Sequence, residues 1–336
     1  MNKNFVVITT INSPNKVIEA WSKVPHVDLI VIGDRKTPSN WSFGGVQYFD
    51  VLAQEKLHFT LLENLPFNHY CRKMVGYLIA INNGADSIVD TDDDNYPHSN
   101  WRLMPFDGLF DAIKGGKGFV NIFKYFTKNN IWPRGFPLDL VAESFNNKLY
   151  AGELVKETAK VGVWQGLADD DSDVDAIYRM LFGVEVKFDK RPPLVLDAFT
   201  VTPFNSQNTI FRKELFKLMY LPTFVTFRFT DILRGLIAQP ILWAMGFKLG
   251  FTEATVFQER NEHDLMVDFD SEVPMYLNVK RIYFEIIKIV KPECTIDDNL
   301  ICVYEKLIDL NITDRKELVV LKCWLHDINK ISNFKI

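Results

Sequence analysis

The sequence predicts an α/β fold, a mixed sheet flanked by helices, with a helical appendage at its C-terminal end. Three observations carry this. Asn4 to Ile11 (NFVVITTI) and Val27 to Ile32 (VDLIVI) are continuous apolar runs rich in β-branched residues. Between them, Lys16 to Lys23 suits a short helix, and strand–helix–strand alternation builds parallel strands. Beyond Tyr276 the pattern turns helical, with Val279, Ile282, Tyr283, Ile286, Ile287 and Val290 on one stripe.

The elements follow in order. Asn12-Ser13-Pro14 marks the turn into the first helix, and Gly33-Asp34 ends the second run. Val46 to Phe49 is a short third strand. Asn68 to Asn83 reads as an amphipathic helix closed by Gly84. Asp86 to Val89 is a further buried strand, ending in Asp90-Thr91-Asp92-Asp93-Asp94. In the middle of the chain, Gly118 to Phe123 is the clearest strand. Phe229 to Leu242 is helical and kinked at Pro240. Leu300 to Leu310 and Lys316 to Ile328 complete the appendage. The boundary therefore falls between residues 1–275 and 276–336, and 336 residues suffice for one large domain plus such an addition.

Composition bounds the partners. A net charge of −5 with no basic stripe argues against a nucleic-acid backbone as ligand. The four cysteines form no CxxC pair, which fits free thiols in a reducing compartment. No apolar run reaches the ~18 residues of a membrane span, and no signal-peptide pattern opens the chain. The expectation is a cytoplasmic protein without a membrane span.

The densest chemistry is the acidic turn. Four carboxylates in five residues repel one another, which costs stability at neutral pH unless a cation is bound. After a buried strand this fits a DxD site, in which Asp92 and Asp94 bring a divalent ion to a diphosphate. Carboxylate, water and phosphate oxygens suit Mg²⁺ or Mn²⁺. A solvated acidic turn or a structural Ca²⁺ loop would have the same composition. In a parallel sheet, ligands sit beyond the carboxyl ends of strands. That places Thr9, Thr10 and Asp34 around a nucleotide.

Other candidates are local. Asp231 and Arg234 lie one turn apart in FRFTDILRG, where Asp231 would serve as a general base. An N-cap at Thr230 or Asp231 with a surface Arg234 pair is the plainer alternative. His263 is a further candidate metal ligand, within a polar stretch that also reads as a loop. Arg260 in that stretch, and Arg72 and Lys73 near their helix start, could meet phosphate or base. Trp132 and Arg134 offer a platform and a cation, or a rigid turn over the core. Asn205, Gln207 and Asn208 suit a clamp on sugar hydroxyls, since amides both donate and accept; they also suit a turn. The acidic run Asp169 to Asp173 could hold a cation or sugar, but reads more plainly as a solvated loop or helix start.

Taken in order, VVITTINSP, VIGDRKTP, LPFNHYCRKMVGYLIAINNGA, IVDTDDDN, WPRGFPL, PFNSQNTIF, FRFTDILRG and QERNEHD resemble the STELLO-like family of glycosyltransferases, over roughly residues 5 to 276. More distantly, VDTDDDN and FTDILRG are similar to motifs of UDP-arabinopyranose mutases, the reversibly glycosylated polypeptides. The resemblance implies a GT-A-type, Rossmann-like fold and a metal-dependent glycosyltransferase using a nucleotide-sugar donor, a UDP-sugar on family grounds. It gives Asp92 and Asp94 the DxD role, with Asp93 beside them. It makes Asp231 the base of an inverting reaction and His263 a C-terminal metal ligand. Thr9, Asp34 and Arg72 fall around the nucleotide. The acceptor stays open among a glycan, a protein, a lipid-linked sugar, a metabolite and a modified nucleobase. A nucleotide-sugar mutase or self-glycosylating protein, and a non-catalytic scaffold, are the alternatives. The tail after Tyr276 falls outside the resemblance, and its helices are candidates for an oligomer contact.

Overall fold

A computed structural model describes residues 2–146, 152–183, 185–259 and 264–333. Four strands, β1 (Asn4–Thr9), β2 (Asp28–Ile32), β3 (Gln47–Phe49) and β4 (Ser87–Thr91), run parallel in the order β3-β2-β1-β4. Their continuous apolar runs reflect burial on both faces, as parallel strands require. One face packs under Trp21, Trp41, Trp101 and Trp164, the other under α-helical residues such as Met74, Leu78 and Ile282.

The helix α1 (Lys16–Ser22) returns the chain between β1 and β2. It is capped by the Asn15 side chain, which accepts from Val17 N at 3.0 Å and Ile18 N at 3.1 Å. The expected helix over 68–83 divides. A 3-10 turn occupies Tyr70–Arg72, and α2 proper covers Lys73–Asn82, while Asn68 has φ 52° and cannot continue a helix. The β1–β4 pair is where the strand order reverses, so a crevice opens at their carboxyl ends.

Beyond β4 the sheet becomes mixed. It continues through β5 (Asn95–Pro97), β6 (Asp107–Lys114), β7 (Glu153–Asp171), β8 (Leu194–Leu196), β9 (Asn208–Arg212) and β10 (Lys248–Gln258). β9 lies antiparallel between β4 and β7. The 19-residue β7 pairs with β6 through its first half and with β9 and β10 through its second. The middle of the chain therefore departs from expectation. Only Gly118–Phe119 is strand, and Phe123–Phe126 is a helical turn. The real strands there carry charged residues on their exposed side, which masked them.

The helix α3 (Thr230–Ala244) runs buried beneath the sheet with Pro240 inside it, as expected. It passes so close to the loop before β9 that a Cβ on Gly235 would stand 2.4 Å from the Phe204 carbonyl oxygen. Gly235→Ala should therefore cost about 1–3 kcal/mol through forced backbone movement, read as a lower urea midpoint with an unchanged slope.

The expected boundary at Tyr276 falls inside one helix, α4 (Leu265–Ile289). That helix, α5 (Ile296–Asp309) and α6 (Glu317–Asn333) share the main core, contributing Val279, Val303 and Trp324. Buried carboxylates tie them down. Glu317 accepts from Thr223 N at 2.8 Å and Phe224 N at 2.9 Å, and Asp327 from Thr60 N at 3.0 Å and Leu61 N at 2.8 Å. Among the described residues, no helix is long and apolar enough to cross a membrane.

Candidate active site

A cavity of about 480 Å³ opens at the carboxyl ends of β1, β2 and β4. Thr9, Thr10 and Asp34 line it from the strand ends, Asp92, Asp93 and Asp94 from the turn after β4, and Arg72 from the start of α2. Arg134, Asn205, Gln207 and Asp231 complete the opposite wall. Sequence positions more than two hundred residues apart thus meet in one space.

The acidic turn is organised differently from the simple repulsion expected of it. Asp90 points into the core and is fully buried. Lys73 Nζ lies 2.8 Å from its Oδ1 and Arg234 Nη1 2.6 Å from its Oδ2. Burial opposes its charge, but the two cations prevail and hold the carboxyl below its usual range. Asp90 is thus neutralised by the protein itself. Asp92 receives Lys73 Nζ at 2.6 Å and the Tyr70 hydroxyl at 3.0 Å, both on Oδ1. Burial nevertheless raises its pKa. Asp93 Oδ2 accepts from the Thr10 hydroxyl and from Asn12 Nδ2. Asp94 accepts from Gln258 Nε2 at 2.7 Å and Asn95 Nδ2 at 2.8 Å. Among the described residues, Asp92 Oδ2 and Asp93 Oδ1 have no hydrogen-bond partner within the chain.

The opposite wall is built on Arg134. Its guanidinium grips two carboxylates at once. It reaches Asp173 at 2.8 and 3.0 Å, and Asp231 at 3.0 and 2.8 Å. Such forked pairs fix both partners in one plane. Asp231 also accepts from Ile232 N at 3.0 Å and, more loosely, from Ser206 N at 3.4 Å. It lies in the first turn of α3, whose N-cap is Phe229, so neither Thr230 nor Asp231 takes the N-cap position. Asp173 additionally takes Asn205 Nδ2 at 2.6 Å. Against the cost of burial, Arg134 holds the Asp173 carboxyl well below the usual range. Arg228, the next cation along, is bound to the fully buried Glu272 of α4 at 2.8 Å.

Several sequence candidates take other places. Lys73 is a core cation bridging Asp90 and Asp92, with no exposed surface to meet a phosphate. Arg234 is likewise buried, donating to Asp90 and, at 2.6 Å, to the Asn205 carbonyl, so it is no surface ion pair. Trp132 lies in the core beside Tyr178, its Nε1 donating to Asp175 at 2.6 Å; it offers no platform to the cavity. The acidic run is no solvated loop. Asp169 to Asp171 end β7, Asp171 pairs with Arg179, and Asp173 reaches the cavity. His263 and Arg260 lie outside the described residues.

Arg72 lines the cavity yet is almost fully buried. Its Nη2 donates to Gln54, while Nε and Nη1 have no partner among the described residues. Its other face lies over the Phe67 ring, 4.6 Å from the centroid. Tyr70, Arg228 and Gln258 are cavity residues that sequence reasoning passed over. Each of them carried a signal, by falling within a motif stretch.

The chain has recognisable relatives. The model of the STELLO glycosyltransferases matches residues 228–336, so the C-terminal helices lie inside the resemblance rather than beyond it. Two Arabidopsis thaliana proteins, "Probable glycosyltransferase STELLO2" and "Probable glycosyltransferase STELLO1", are 29% and 28% identical over 297 and 299 residues, 83% of this chain. The chain spans about 38% of the length of these relatives. Aligned over most of its length and matched by the family model across α3 and the C-terminal helices, the chain is related to the STELLO glycosyltransferases.

Proposed function

We propose that this chain is the donor-binding and catalytic part of a metal-dependent glycosyltransferase that uses a nucleoside-diphosphate sugar, a UDP-sugar by family resemblance. The observation that carries it is the single cavity whose one wall is Asp92 to Asp94 and whose other is Asp231. The names of its Arabidopsis relatives point the same way.

The donor set suits a hard cation. Asp92 Oδ2 and Asp93 Oδ1 are carboxylate oxygens that no described protein group satisfies, and Asp94 adjoins them. Among the described residues no three ligand side chains close a cage. Mg²⁺ characteristically takes one or two carboxylates and completes its shell with waters and substrate phosphates. Bound there, Mg²⁺ or Mn²⁺ would stabilise the leaving diphosphate as a Lewis acid. Asp231 then takes the acceptor proton in an inverting transfer. Both of its oxygens already accept from Arg134, so the proton would pass to a carboxylate that keeps its guanidinium partner.

A thermal-shift comparison of nucleoside diphosphates and their sugars, with and without Mn²⁺, tests this. A ligand at a hundredfold excess over its dissociation constant adds about 2.7 kcal/mol to native stability. A metal-dependent rise in wild type, lost in Asp94→Ala, is expected. If no nucleotide moves the melting temperature with any metal, the reading fails. If a rearranged nucleotide-sugar accumulates with no acceptor added, the activity is that of a mutase instead.

A further inference from the structure

Phe227 is a large aromatic left 60% exposed, yet it lines the cavity. A scattered exposed Phe needs no explanation, but this ring is braced from two sides. Its neighbours Arg228 and Phe229 are buried, Arg228 fastened to Glu272 at 2.9 Å through Nε. The Phe227 ring meets Tyr70 edge-on, centroids 5.6 Å apart and planes at 80°. Tyr70 is itself fixed, its hydroxyl donating to Asp92 and accepting from Lys73 Nζ at 3.1 Å.

The ring pair therefore links the two walls. Tyr70 touches the carboxylate on the diphosphate side, and Phe227 stands one helical turn before Asp231. An acceptor attacking the donor sugar must lie between those walls, with its hydroxyl at Asp231. It then meets a rigid aromatic face on one side and a carboxylate at its edge. Charge narrows the choice. On the Asp231 wall, Asp173 and Asp231 share the one guanidinium of Arg134, and Arg228 is committed to Glu272, which leaves that wall net negative. That wall repels an anionic acceptor.

Resting on the proposed glycosyltransferase reading, we propose that the acceptor is a neutral saccharide whose apolar C–H face stacks on Phe227 while one of its hydroxyls meets Asp231. A pyranose has an apolar face rimmed by hydroxyls, which is the pattern these two groups present.

The test is saturation-transfer difference NMR on the full chain with UDP and Mg²⁺ present. The probes are lactose, maltose, xylobiose and mannobiose, with digalacturonic acid as the anionic control. At least one neutral disaccharide should bind wild type and digalacturonic acid should not. Phe227→Ala should weaken that binding about tenfold, the loss of roughly one ring face of apolar contact, and Phe227→Trp should retain it. The inference is overturned if wild type responds to nucleotide but to no neutral saccharide, if digalacturonic acid binds best, or if Phe227→Ala binds as tightly as wild type. A wild type that binds saccharide but no nucleotide would instead sink the donor reading.

Discussion

Asp90→Ala should destabilise the protein by about 3–5 kcal/mol, a large fraction of what holds a domain together. Asp90 is the shared anion of two cations that have no solvent to fall back on. Lys73 and Arg234 are 0% and 1% exposed. With the carboxylate gone, Lys73 keeps Asp92 and the Tyr70 hydroxyl, and Arg234 keeps the Asn205 carbonyl. Each then carries a charge only partly compensated in a low-dielectric interior. Asp90→Asn retains an acceptor oxygen but not the charge, and should fall between. The sign with pH follows from the depressed carboxyl. Its contribution is fully present above the ordinary aspartate range and is lost as pH falls through the folded value, so wild type and Asp90→Asn should converge in acid. Urea midpoints at several pH values would measure this. Equal midpoints at neutral pH would mean the triad is not what fastens β4 to α2 and α3.

The same triad marks the limit of what could be read from the chain. β1, β2 and β4 were legible because strands buried on both faces leave unbroken apolar runs. The acidic turn stood out because charge rarely follows such a run without reason. Its wiring was not legible. Which carboxylate points inward depends on Arg234, which is 144 positions away and on another element. Proximity of that kind leaves no local periodicity. β6 and β7 were missed for a related reason. The whole of β6 pairs with the first half of β7 and leaves one face exposed, so charges such as Lys156 and Lys160 interrupt the apolar pattern. Gly118 to Phe123 misled in the opposite way, since a short apolar run does not distinguish a strand from a buried turn. Asp173 looked solvated among its acidic neighbours. Only its pairing with Arg134, 39 residues earlier, brings it to the cavity.

Asp231→Asn should lower glycosyl transfer by about 10²–10⁴-fold, the range expected when a positioned base is removed. The replacement keeps the side-chain shape. One oxygen still accepts from Arg134, and Arg134 still holds Asp173 with both arms of its fork. The fold should therefore survive with a loss of about 1–3 kcal/mol, from setting an amide N–H against a guanidinium in a buried site. The donor side is built from different residues, Asp92 to Asp94 and the ends of β1 and β2, so the metal-dependent nucleotide shift should persist. That separation makes the variant decisive. Lost transfer with retained nucleotide binding assigns Asp231 to the chemical step on the acceptor side. Retained transfer would leave Asp231 as the counter-ion of Arg134 alone, and the proton would have to leave through another group. Loss of both would mean that the Arg134 clamp shapes the whole cavity, with Asp231 serving the architecture rather than the reaction.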